Sequence, residues 1–134
     1  QKIVCAIHSG WLGTVRQIVD HTIRYLIEKE NCNPKEMYCL IGPCLSKKHL
    51  EVQDDVINQV KKMNFDTSPF YQKTDETHYL LDNKGLNKQQ LLNLGVLEEN
   101  IQVSSYCTNE NNDLFFSHRV NHDGQRNVTI IKRK

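Results

Sequence analysis

His8, Cys44 and the run Ser117-His118-Arg119 are the residues of this chain whose types and placement could do chemistry. Each follows an apolar stretch: residues 3–7 before His8, 37–41 before Cys44, and 114–116 before Ser117. Side chains at the carboxyl ends of strands point into the crevice at the top of a sheet, where α/β proteins place their ligands. Imidazole and thiolate are ligands of a catalytic zinc, which takes three protein donors and keeps a fourth position open. The same groups are the parts of a thiol hydrolase, with Cys44 or Cys107 as nucleophile and His8 or His118 as base. A guanidinium such as that of Arg119 suits an anionic substrate group. Spacing leaves these readings open, beside the plainer ones of a hydrogen-bonded histidine and a small buried thiol.

The elements must deliver these groups to one place. Residues 1–7 read as a strand whose continuous apolar character suits a sheet covered on both faces. Gly10 and Gly13 then let the chain turn tightly and approach a ligand closely. Residues 13–30 read as a helix with an apolar stripe of Val15, Ile18, Val19, Thr22, Ile23, Leu26 and Ile27. The start of that helix would offer free N–H groups and a positive dipole end to phosphate. Asn33-Pro34-Lys35-Glu36 is a helix-start signature with room for one short turn. Residues 37–41 read as a strand stopped by Gly42-Pro43, 49–52 as a short strand, and 53–63 as a helix. Residues 64–76 read as a loop whose Phe65, Phe70 and Tyr71 either line a pocket or, as is commoner, pin the loop down, and 78–82 as a strand. Residues 87–94 read as a helix that Gly95 ends in the left-handed conformation. Strands are expected again at 101–106 and 128–131, with a turn over 107–113.

Composition excludes several classes. The chain has 134 residues, enough for one domain with a real core. Lys plus Arg number 17 and Asp plus Glu 16, and no basic stripe argues for nucleic acid. The longest apolar run is far short of a membrane span, and the pattern of a signal peptide is missing. Five cysteines, an odd number without a Cys-x-x-Cys pair, argue against a disulfide framework or a zinc knuckle and for reduced thiols in the cytoplasm. The chain opens on Gln1 and at once enters an apparent core strand, so it is expected to be the later part of a longer protein.

Four segments together resemble one family. They are Ile7-His8-Ser9-Gly10-Trp11-Leu12-Gly13-Thr14, Ile41-Gly42-Pro43-Cys44 with Glu51-Val52 after it, Cys107-Thr108, and Phe115-Phe116-Ser117-His118-Arg119. In this order they are similar to the YfiH family, also called laccase-domain or polyphenol oxidase proteins and described as purine nucleoside phosphorylases. The resemblance runs along nearly the whole chain. It implies an α/β (α+β) fold, layered α/β/β/α with mixed sheets, of which residues 1–134 would be the C-terminal portion. It implies one zinc held by two histidines and one cysteine. Here His8 matches one ligand; the other two lie in upstream segments, Gln-Val-His-Gly and Ala-Asp-Cys, that this chain lacks. Neither Cys44 nor Cys107 matches the ligand cysteine.

The implied reaction is phosphorolysis of adenosine, inosine or guanosine, with adenosine deamination as a side activity. His8, Arg119 and His118 would be catalytic, and Gly10, Trp11, Gly13 and Arg119 would bind substrate. A homodimer or the upstream half would complete the site. Leu12 and Val120 stand where the family usually has basic residues, which leaves phosphate to Arg119, with Arg16 as a possible helper. With one of three ligands, the isolated chain is expected to hold zinc weakly. Copper-based phenol oxidation, which an older family name suggests, would need more than one histidine and scattered cysteines. A non-catalytic binding module is the remaining alternative.

Overall fold

The computed structural model describes residues 2–133. In chain order the elements are α1 (Trp11–Val15), α2 (Ile18–Glu28), β1 (Cys39–Ile41), β2 (Glu51–Gln53), α3 (Asp54–Val60), β3 (Tyr71–Lys73), β4 (His78–Leu81), α4 (Asn83–Asn93), β5 (Ile101–Val103) and α5 (His118–Asn121). Single 3-10 turns at Pro34–Glu36, Lys47–His49, Ser68–Phe70 and Glu98–Asn100 join them. β1 and β5 pair in parallel, Cys39 opposite Ile101, and the three-stranded sheet β2-β4-β3 is antiparallel. The mixed α/β architecture matches the one the resemblance implies.

α4 is the hub. Its Leu86 packs into a core with Val52, Ile57, Val60 and Leu81, and its Leu91 into a second core with Val19, Ile23, Val96 and Ile101. Asp82 starts the helix as N-cap, its carboxylate accepting from the Gly85 amide at 2.9 Å. A methyl group on Gly85 would collide with the Asp82 carboxylate and the Phe70 ring, so any larger residue there forces these neighbours to shift. Gly95 ends the helix with φ 86°, as its position predicts.

Several expected elements differ. The helix read over 13–30 is two helices, broken where Gln17 adopts φ 57°. No glycine or proline marks the break. Gln90 of α4 makes it, donating to the Thr14 carbonyl at 3.3 Å and accepting from the Asp20 amide at 3.1 Å. These are backbone groups that a continuous helix would pair internally. The helix expected over 87–94 begins four residues earlier, at Asn83, and residues 71–73 of the expected loop form β3.

The expected strands at 1–7 and 128–131 do not form among the described residues. Residues 2–7 and 128–131 have no regular secondary structure and are exposed, with Ile3 at 43% and Val128 at 82% of full exposure, because neither meets a strand with which to build a ladder. They touch through Arg133, which donates to the Lys2 carbonyl at 3.3 Å. No helix among the described residues is long and apolar enough to cross a membrane.

Candidate functional site

His8 stands on a turn whose exposed face carries the imidazole and whose underside is bolted to α4. Ser9 Oγ donates to Asn87 Oδ1 at 2.7 Å, and Asn83 Nδ2 donates to the Ser9 carbonyl at 3.0 Å. Asn87 Nδ2 donates to Thr14 Oγ1 at 3.0 Å and to the Asn83 carbonyl at 2.8 Å, and Thr14 Oγ1 lies 3.0 Å from Ser9 Oγ. Thr14, Asn83, Asn87 and Gln90 are all buried, so this is a polar layer inside the protein, paired almost throughout as burial requires. Asn83 Oδ1 is the exception: it is buried beside the turn and has no donor.

His8 itself is exposed and makes no hydrogen bond or ion pair among the described residues. Its ring nitrogens are therefore open to a ligand. Gly10 sits below it, where a Cβ would lie 3.4 Å from His8 Nε2. Gly13 lets α1 approach the turn: a Cβ there would be 3.3 Å from Ile18 and 3.4 Å from the His8 carbonyl. Trp11, exposed by 36%, opens α1 after Gly10 as N-cap. The helix start expected near Gly13 lies two residues earlier, at Trp11. Gly13 lies inside α1, and a five-residue helix carries little dipole.

His118 and Arg119 occupy α5 and take no part in the hydrogen bonds of this network. Arg119 Nη2 donates to the Glu51 carbonyl of β2 at 3.0 Å, and the His118 ring meets the edge of His122 at 5.6 Å. Among the described residues no hydrogen bond or ion pair joins either to His8. Arg16, the expected helper, is the exposed C-cap of α1.

A second cluster forms where the chain leaves β1 and β5. Cys44 and Cys107 face each other as an isolated parallel bridge, and the Thr108 amide donates to the Cys44 carbonyl at 3.2 Å. Lys84 of α4 closes the same region, donating to the carbonyls of Ser104 at 2.7 Å and Tyr106 at 2.8 Å. The two thiols differ. Burial pushes Cys44 up, and its Sγ points to the Leu45 carbonyl at 3.4 Å. Burial would also raise Cys107, but Ser46, by hydroxyl and amide, and the amides of Glu110 and Asn109 outweigh it and bring the thiol down to about 7. The Ser46 amide donates to Cys107 Sγ at 3.3 Å.

His49 Nε2 lies 2.9 Å from Glu110 Oε1, and with Cys107 Sγ these donor atoms all fall within 4.8 Å of one another. The His49 hydrogen bond, ahead of the Lys48 charge, holds the Glu110 carboxyl below its ordinary range. The histidine beside Cys107 is thus His49, neither His8 nor His118. Sequence reasoning did not single out His49 or Glu110, which lie 61 residues apart with no motif between them. It also missed Asn83, Asn87 and Gln90, whose helical spacing marks a polar stripe that burial alone identifies.

The family model described as "Multi-copper polyphenol oxidoreductase laccase" matches residues 1–134. The chain belongs to this laccase family. It is 36% identical over 119 residues to "Purine nucleoside phosphorylase YlmD" of Bacillus subtilis, covering 89% of this chain and 43% of that protein. The structure of the Bacillus licheniformis hypothetical protein YfiH superposes with a TM-score of 0.81 at 33% identity, over 84% of this chain and 42% of that one. For YlmD of Geobacillus stearothermophilus the TM-score is 0.78 at 35% identity, over the same shares. The chain thus spans less than half the length of these laccase-family relatives.

Proposed function

We propose that this chain is the His8-bearing part of a zinc-dependent purine nucleoside phosphorylase. The observation that carries the reading is the 36% identity to a protein named for that activity. The build of the His8 turn supports it: a solvent-facing imidazole without partners, on backbone fixed by a buried network, suits a metal ligand. One imidazole is one ligand; the remaining donors of that centre come from outside this chain. The zinc would supply Lewis acidity or an activated water.

The chain's own residues have simpler tasks. Arg119 keeps donors beyond the one given to Glu51 and binds an oxygen of inorganic phosphate. A phosphate oxygen then bonds to the anomeric carbon as the carbon–nitrogen bond to the purine breaks, and the purine keeps the electron pair. His118, exposed on α5, supplies the proton that the departing base takes up. Trp11 offers a ring face to the base beside His8.

The experiment follows free purine released from adenosine by the intact protein, with and without phosphate. Phosphate-dependent release that stops on chelation and survives iodoacetamide is the expected result. Release that is independent of phosphate, or lost on alkylation with the metal retained, overturns the reading in favour of a thiol enzyme.

A further inference from the structure

We propose that His49, Cys107 and Glu110 form a binding site for a zinc-class divalent cation, separate from the centre to which His8 belongs. The three donors come from two segments that the fold brings together. The 3-10 turn Lys47–His49 carries the imidazole, and the turn after β5 carries the thiol and the carboxylate.

In a tetrahedral zinc site the bonds to sulfur are about 2.3 Å and those to nitrogen and oxygen roughly 2.0–2.2 Å, so ligand atoms sit about 3.3–3.6 Å apart. The three donor atoms, all within 4.8 Å of one another, already lie close to that spacing. The Cys107 sulfur is prepared as an anion: it is buried, and backbone and hydroxyl donors converge on it. Ser46 Oγ is buried and, Cys107 apart, has no hydrogen-bond partner among the described residues. Lys48, 3.5 Å from Glu110, is an exposed side chain free to swing away.

The mixed set of thiolate, imidazole and one carboxylate favours zinc over calcium or magnesium, which take oxygen ligands. Three protein donors leave the fourth position to water or a ligand. A bound ion would staple the turn after β1 to the turn after β5.

Equilibrium dialysis of the 134-residue chain against zinc, read by elemental analysis, tests the site. One zinc per chain is expected, kept by His8→Ala and weakened at least about tenfold by His49→Ala or Cys107→Ser. Cobalt should give a thiolate charge-transfer band that survives Cys44→Ser and vanishes in Cys107→Ser. Because Cys107 is buried, His49→Ala and the cobalt band of the unaltered chain decide the matter if Cys107→Ser fails to fold. A chain without zinc, wild-type binding in His49→Ala, or loss in His8→Ala overturns the proposal. None of these readouts involves nucleoside turnover, so the assignment stands or falls apart from the phosphorylase reading.

Discussion

Two donor sets of this chain are built in opposite ways. At His8 the imidazole is exposed and the side chains that hold its turn are buried: Asn83 and Asn87 grip Ser9 and Thr14 from below. At Cys107 the reactive atom is itself buried, and its companions His49 and Glu110 reach it from the surface. The first arrangement presents a single positioned group to partners from elsewhere. The second gathers three donors from one chain. Function that depends on His8 should therefore be fragile in the intact protein and invisible in the isolated chain, whereas the Cys107 cluster should show itself in both.

The sharpest way to break this contrast is His8→Ala in the intact protein. Adenosine phosphorolysis should fall at least about 100-fold, since ligand loss costs more than loss of a supporting residue. The melting temperature should hardly move, because the ring is exposed and contacts nothing polar. Turnover at the wild-type rate would remove His8 from the mechanism.

Next comes Asn87→Ala, which strips partners from Ser9 and from the fully buried Thr14. Unfolding in urea should show a loss of about 2–3 kcal/mol, the cost of stranding buried polar groups. Phosphorolysis should fall with it, because the His8 turn loses its anchor. An unchanged midpoint would mean that the network holds nothing. Gly85→Ala compresses the start of α4, whose Asn83 holds the Ser9 carbonyl, and should cost about 1–3 kcal/mol by overpacking, read in the same titration.

The smallest effect is a slope. Folding lowers the Cys107 thiol from the ordinary value near 9 to about 7, so it favours the thiolate. That contribution is complete above about pH 9 and is lost as the pH falls through about 7. Without metal, stability should rise between these values more steeply in the wild type than in Cys107→Ser. Cys39 and Cys44, raised by burial, work against it only at higher pH. Parallel slopes in the two proteins would dismiss the anionic Cys107.

How much of this was legible depends on the range of the interaction. The single turn at Asn33 was readable because its cap is local: Asn33 Oδ1 accepts from the Lys35 amide two residues on, at 3.1 Å. The left-handed Gly95 was readable for the same reason. The first turn of α4 was hidden, because Asn83, Lys84 and Gly85 lack an apolar stripe and are held helical by the Asp82 cap and by buried polar contacts. β3 was hidden because Tyr71-Gln72-Lys73 becomes a strand only by pairing with β4. Residues 3–7 misled in the other direction, since an apolar run is not a strand until another strand pairs with it.

The sequence by itself determined the family, the His8 turn with its two glycines, and most helices, since these are written in motifs and in bonds that reach a few residues along the chain. Only the tertiary structure decided that Gln90 breaks the first helix, that Asn83 and Asn87 carry the His8 turn, and that His49 and Glu110 meet at Cys107. Those contacts join residues some 60 to 80 positions apart. Nothing in local hydrogen bonding or hydrophobic period constrains such pairs; the packing of two cores on α4 does.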